Sequence, residues 1–240
     1  LEKTDALANP RIFGPGDFGP PNGVAAIAAD DRFKILTHPS SWFVELYRPY
    51  CGDKLAVMFV GIDTDCWTSW RDAPKSLDFV IYDKLRWYRE ERVPAVLERV
   101  RRALDQRGLS HETLRYGHHN LARFRAGLKA SRAMIFLCEH ETQGLAYQEA
   151  MAADVPILAW DEGVFVDPAL APFAQTKLDV SAVPYFDARC GMTFKLEAFE
   201  EKLDAFQKAR EGFAPRAYVG ETLSLAIAAE KYMELYDSLR

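Results

Sequence analysis

The stretch Ser131–Gly163, SRAMIFLCEHETQGLAYQEAMAADVPILAWDEG, decides how this 240-residue chain is read. AMIFLC (133–138) is a strand-like apolar run, and the polar loop Glu139-His140-Glu141-Thr142-Gln143-Gly144 follows it. A helical segment at about 144–153 then leads into a second apolar strand, VPILAW (155–160). Strand, loop, helix and strand in that order form one crossover unit of a parallel sheet.

Outward from it the pattern repeats. DFVIY (78–82), ETLRY (112–116) and VPYF (183–186) read as further strands, with helices at about 92–107 and 118–131. Val93, Leu97, Val100 and Leu104 share one stripe, Pro94 falls in the first turn and Gly108 stops the helix. Leu121, Phe124 and Leu128 mark the next helix, and helices at about 195–209 and 220–238 close the chain. The alternation predicts an α/β fold with a doubly wound parallel sheet. Upstream, RFKILTH (32–38) reads as a strand, SSWFVELYRPY (40–50) as a helix, LAVMFVGI (55–62) as a strand and DTDCWTSWRDAPKS as a linker. The first thirty residues, with NPRIFGPGDFGPPNG, are too rich in Gly and Pro to predict a regular element. Gly14, Gly16 and Gly19 there satisfy G-x-G-x-x-G, but Pro10, Pro15 and Pro20-Pro21 argue against a strand before it and a helix after it.

Composition narrows the function classes. With 49% hydrophobic and 27% charged residues the chain has apolar surface enough to offset chain entropy, which excludes disorder. A net charge of −5 gives no basic excess to coat nucleic-acid phosphates. The interleaved Arg and Glu of RWYREERVPAVLERVRR read as a solvated face. No apolar run is long enough for a membrane span, which leaves only peripheral association open. LEKTDALANP does not read as a signal peptide, and it lacks an initiator Met, so an upstream segment is conceivable. Cys51, Cys66, Cys138 and Cys190 show no paired spacing and read as free thiols of a cytoplasmic protein. The five histidines give no metal-ligand spacing, so no metal and no bound cofactor are expected. Trp67 and Trp70 read as packing residues rather than a sugar platform.

In an open parallel sheet, ligands bind beyond the carboxyl ends of the strands. That rule selects Asp83-Lys84, Gly117-His118-His119, Glu139–Gly144, Asp161-Glu162-Gly163 and Asp187-Ala188-Arg189. Gly144 stands where a helix begins, a place whose unpaired N–H groups and dipole suit a phosphate. Glu149, farther along that helix, is placed to accept ribose hydroxyls, and Glu141 faces the attached sugar. His118 and His119 read equally as ligand contacts or helix caps, and so does His140.

The same stretch resembles the donor-binding signature of group 1 (family 4) retaining glycosyltransferases of the two-Rossmann GT-B fold. Glu141 and Glu149 reproduce that family's E-x7-E spacing, and Gly144-Leu145, Glu149-Ala150-Met151-Ala152 and Val155-Pro156-Ile157-Leu158-Ala159 match in place. VGIDTDCW (60–67) is similar to the family's inter-domain segment. The resemblance implies residues 1–62 as a remnant of the acceptor-side domain, 63–77 as a linker and 78–219 as a nucleotide-sugar-binding domain. It makes 220–240 a helix crossing back to the acceptor-side part. It further implies transfer of a sugar, with retention, from a nucleotide-diphosphate donor to a hydroxyl acceptor that is a saccharide, a lipid-linked compound or a small molecule.

Two departures are visible. The family's Gly-Arg after the first donor-domain strand, and its following Lys, are replaced around Asp83-Lys84, which makes Lys84 the expected diphosphate cation, with Arg89 second and Arg86 nearby. The family's aromatic between Glu and Gly gives way to Thr142-Gln143, which would line the sugar pocket. Lys84 and Glu141 are thus the expected catalytic pair; Glu149, Gly144, Leu145, Thr142, Gln143, His118 and Arg89 are the expected donor contacts. A full acceptor-side domain needs ~150 residues. The sixty or so present here therefore keep open a non-catalytic nucleotide-sugar-binding half that needs a separate acceptor-side chain. A nucleotide-sugar epimerase of the same architecture is the other alternative.

Overall fold

The structure is a computed structural model and describes residues 9–14 and 19–239, so Gly16 of the glycine motif lies outside it. Among the described residues the strands form two parallel sheets. The smaller contains β1 (Arg11–Phe13), β2 (Phe33–His38) and β3 (Leu55–Val57) in that order, with α1 (Pro21–Ala28) and α2 (Ser41–Cys51) as the crossovers. This corrects the expectation for the first thirty residues, which hold both a strand and a helix. Pro21 does not block α1; it occupies the helix's first turn, where its missing N–H has no intrahelical partner to lose. LAVMFVGI is strand only over β3, and the residues after it have no regular structure but bury Met58, Phe59 and Ile62 in a core of the larger sheet.

The larger sheet starts with β4 (Leu77–Asp83). A continuous helical stretch follows, made of α3 (Arg89–Arg92), a π-turn at Val93–Leu97 and α4 (Glu98–Gln106). It begins three residues before the predicted start, so Pro94 sits inside it, and the wide π-turn accommodates the missing N–H. Next come β5 (His111–Arg115), α5 (Leu121–Ala130), β6 (Ser131–Leu137), α6 (Leu145–Ala152) and β7 (Ile157–Trp160). β8 (Gly191–Phe194), α7 (Phe199–Ala209), α8 (Pro215–Thr222) and α9 (Leu225–Asp237) complete the chain. The predicted strand at 183–186 is absent, and the fifth strand is β8, eight residues later. Gly191 has φ +143° and lies so close to β7 that a Cβ would stand 1.9 Å from the Ile157 carbonyl oxygen, so only glycine allows this pairing. The single predicted helix at 220–238 is broken at Leu223-Ser224, where Ile62 forms a bridge to Ser224.

The strand order β5-β4-β6-β7-β8 reverses direction between β4 and β6. The side chains of these two strands alternate between two cores. Val80, Tyr82, Met134 and Phe136 pack against α5 and α6. Phe79, Ile81, Ala133, Ile135 and Leu137 pack against α4 and α7. Burial on both faces explains why these strands are continuous apolar runs, each large side chain contributing ~1.5–3 kcal/mol. A third core fills the small sheet with Leu36, Phe43, Leu46 and Tyr47, joined by Leu178 and Val180 from the long β7–β8 connection.

Candidate functional site

The crevice at the reversal point, outside the carboxyl ends of β4 and β6, is the expected ligand position of a doubly wound sheet. It holds a cavity of about 460 Å³ lined by Lys84, Tyr116, Glu141, Thr142, Gln143, Gly144, Leu145, Ala146 and Glu149 on the large-sheet side. Pro39, Phe43 and Val60 from the small-sheet side form the facing wall.

Three contacts stitch the walls together. Trp42 Nε1 donates to the Glu141 carbonyl at 2.8 Å, and the Tyr185 hydroxyl donates to the Pro39 carbonyl. The Gln143 side-chain amide pairs with the Val60 backbone twice, donating to its carbonyl at 2.6 Å and accepting from its N–H at 2.8 Å. Gln143 Nε2 also donates to Gln148 Oε1 at 2.9 Å. The Gln143 amide therefore holds the walls in register, while Thr142 beside it carries no such duty.

Lys84 follows β4 and reaches across to Glu141, with Nζ 2.5 Å from Oε1. Burial pulls its ammonium pKa down, but the Glu141 carboxylate and neighbouring groups outweigh this and raise it above the usual lysine value. Lys84 also lies over the Tyr116 ring, 4.7 Å from its centroid. Beneath the pair, the Cys138 thiol lies 3.6 Å from Glu141 Oε1. Burial, then Glu141, pushes that thiol's pKa far up, so it is neutral.

Gly144 caps α6 with φ +85°, and a Cβ there would stand 2.1 Å from the Tyr147 ring. No side chain caps this helix start, so its first N–H groups lack an intrahelical partner beside the cavity that Gly144, Leu145 and Ala146 line. Glu149 lies on the cavity lining, and burial raises its carboxyl pKa to about 7 against a small opposing effect of Arg125.

Other predicted contacts lie elsewhere. The Arg89 guanidinium forms a two-pronged pair with Asp83 at 2.8 and 2.9 Å and also donates to the Leu85 carbonyl, outside the cavity lining. Arg86 lies over the Trp87 ring. His118 is exposed in the turn after β5 and does not line the cavity. His119 packs on Tyr82 and Phe124. His140 is sandwiched between Trp87 and Phe165, and burial lowers its pKa to about 4. Asp161 accepts from Ser181 Oγ at 2.6 Å, and Glu162 accepts from Trp160 Nε1 at 2.7 Å. The Asp187-Ala188-Arg189 loop precedes β8, a consequence of the displaced strand, and Arg189 pairs with Asp187 and Glu221. Trp67 is buried against Trp70 and Phe124, as packing residues are. Sequence reasoning misses Tyr116, Pro39, Phe43 and Ala146 as lining residues. Tyr116 directly follows a strand whose carboxyl end was predicted, and that position was the available signal.

No group of three or more His, Cys, Asp or Glu among the described residues could hold a metal, and no described helix is long and apolar enough to cross a membrane. No family model and no curated protein sequence matches the chain. Solved structures do match. TarM from S. aureus, a G117R mutant in complex with fondaparinux, alpha-GlcNAc-glycerol and UDP, superposes with TM-score 0.60 at 12% identity over 88% of this chain and 45% of its own. Sucrose-phosphate synthase from Thermosynechococcus elongatus gives 0.58 at 14% identity over 90% and 60%. The catalytic domain of starch synthase IV from Arabidopsis thaliana, bound to ADP and acarbose, gives 0.54 at 15% identity over 90% and 57%. The chain spans about half the length of the solved structures it matches. Parallel sheets flanked by helices, with the cavity at the strand-order reversal, give it the α/β architecture of GT-B glycosyltransferase domains.

Proposed function

We propose that this chain is the donor-binding part of a retaining glycosyltransferase of the group 1 (family 4) kind, which moves a sugar from a nucleotide-diphosphate donor to a hydroxyl acceptor. The observation that carries this reading is the convergence of Lys84, Glu141, Gly144, Leu145 and Glu149 on one cavity. An ammonium and an uncapped helix start on the same cavity suit a diphosphate, and two carboxylates beside them suit the hydroxyls on either side of it.

In this reading the diphosphate draws the Lys84 ammonium away from Glu141, which frees the carboxylate to accept hydroxyls of the donor sugar. Negative charge grows on the leaving diphosphate as the glycosidic bond breaks. A fixed ammonium and helix N–H groups stabilise it most at that moment. Ionised Glu149 accepts the ribose hydroxyls. Lys84 and the N–H groups at the start of α6 carry the charge, so the step calls on no metal. The protein acts in the cytoplasm, and the acceptor is a saccharide, a lipid-linked compound or a small molecule.

Thermal-shift and calorimetric titrations with UDP, GDP, ADP and their sugars test the reading. One nucleotide series stabilises the chain, Glu149→Ala weakens it, and Glu141→Gln spares the bare nucleotide while impairing use of the sugar donor. Absence of stabilisation by every nucleotide refutes the reading. Binding without turnover points instead to a non-catalytic half that needs a separate acceptor-side chain, and a changed free nucleotide sugar points to an epimerase.

A further inference from the structure

A second recess lies at the opposite end of the large sheet. Lys75 precedes β4 by two residues, Arg132 is the second residue of β6, and Arg210 follows α7 directly. With Arg71, Asp154 and Glu211 they surround an open-mouthed cavity of about 60 Å³, room for a few waters at ~10–15 Å³ each. The seven residues of β4, at ~3.3 Å each, put this recess about 20 Å from the cleft.

Its charges do not balance. Asp154 is engaged by Arg71 at 2.9 and 3.1 Å and by Ser69 Oγ. Arg71 also donates to the Phe213 carbonyl. Three cations then remain with weak partners. Lys75 Nζ donates to the Lys129 carbonyl at 3.1 Å, a neutral acceptor for one of its three protons. Arg132 Nε stands 3.8 Å from Asp78, beyond hydrogen-bond distance. Arg210 is largely buried at 19% exposed, yet its acidic partner Glu211 is 3.3 Å away and 79% exposed. Burial lowers the Lys75 pKa, and Arg132 and Arg71 lower it further, against smaller pulls from Asp154 and Asp72. The lining of the recess thus carries four cations against two carboxylates, with N–H donors to spare, while Asp78 and Asp72 stand outside the lining.

We propose that it binds a tetrahedral oxyanion of the phosphate class, either inorganic phosphate or the phosphoryl group of a small monoester, held by Lys75, Arg132 and Arg210. The small volume fits one phosphoryl group with any attached body projecting into solvent through the open mouth. A whole nucleotide does not fit. The site is separate from the cleft and does not rest on the nucleotide-sugar reading. It does share an element with it, because α6 runs from Gly144 at the cleft to Asp154 just past its end.

The test is a thermal-shift and calorimetric titration of the full chain with inorganic phosphate and with a hexose monophosphate, against potassium chloride at matched ionic strength. Saturable stabilisation beyond that of chloride is expected, and the tighter of the two ligands identifies the source. In Arg132→Ala/Arg210→Ala the affinity falls about ten-fold or more, as loss of charge-assisted bonds predicts. Arg132→Gln, a change at a side chain 46% exposed, weakens binding at least several-fold, and its melting temperature in chloride shows that the variant is folded. Stabilisation no greater than that of chloride, or equal affinity in these variants, overturns the proposal.

Discussion

Lys84 Nζ lies 2.5 Å from Glu141 Oε1, with the two side chains only 13% and 6% exposed. The two groups expected to grip different parts of one donor are thus partners in this structure. Each offsets part of the other's desolvation cost. The pair also links the ends of β4 and β6, the strands that flank the reversal point.

Breaking this pair on one side leaves an uncompensated buried charge, so Lys84→Ala and Glu141→Ala should each destabilise the fold by ~3–5 kcal/mol. Lys84→Met combined with Glu141→Gln should recover most of that loss, as urea denaturation of the four proteins will report. Two additive losses in the double variant would mean that the pair contributes no coupling. Where turnover is measurable, Lys84→Ala should lower kcat more than it raises the donor KM, and Lys84→Arg should restore part of it.

Glu149 has a folded pKa raised to about 7, against 4.5 for an ordinary glutamate. The folded protein therefore binds more protons than the unfolded chain between those values. This contribution to stability is full below about pH 4.5 and is lost as pH rises through about 7. Glu149→Gln removes the effect, so its gain over wild type should grow between pH 4.5 and 7 and level off above 7, on the order of 2 kcal/mol after allowing for partial solvent screening. Nucleotide affinity should run the other way and strengthen as pH rises through 7, because the ionised carboxylate is the acceptor. A pH series of melting temperatures and titrations checks both signs.

His140 titrates in the opposite sense. Burial among Trp42, Trp87 and Phe165 lowers its pKa to about 4, so stability is present above pH 6.5 and falls as pH drops toward 4. His140→Phe should flatten that acid limb while leaving cleft ligands unaffected, since the ring does not line the cavity. An unchanged acid limb would show that His140 is not its source.

Gln143 holds Val60 through two hydrogen bonds. Gln143→Glu cannot donate to the Val60 carbonyl and should destabilise by ~1–3 kcal/mol, with raised amide exchange at Val60. Gly144→Ala should be worse, because φ +85° and the Tyr147 ring both exclude a Cβ. Chemical denaturation will rank the two, and equal stability in both variants would contradict the geometry.

The sequence by itself determined the α/β class with a doubly wound parallel sheet and four of the five strands of the large sheet. β4, β6 and β7 are buried on both faces, and such strands must be nearly unbroken apolar runs, which is legible locally. The Glu141–Glu149 spacing and Gly144 at a helix start were legible for the same reason, since each depends on a few consecutive residues. Tertiary structure decided what depends on approach between distant segments. β8 is a short strand with glycine at its first residue, set by closeness to Ile157, while Val183–Phe186 is more apolar and stays irregular. The start of α1 at Pro21 depended on which N–H groups were already unpaired. Arg89 and Lys84 are both cations near the end of β4, and only folding distinguishes them: Asp83 captures one, and Glu141, 57 residues downstream, holds the other in the cleft. Charge recognises any opposite charge at short range, so the partner is fixed by three-dimensional proximity rather than by position along the chain.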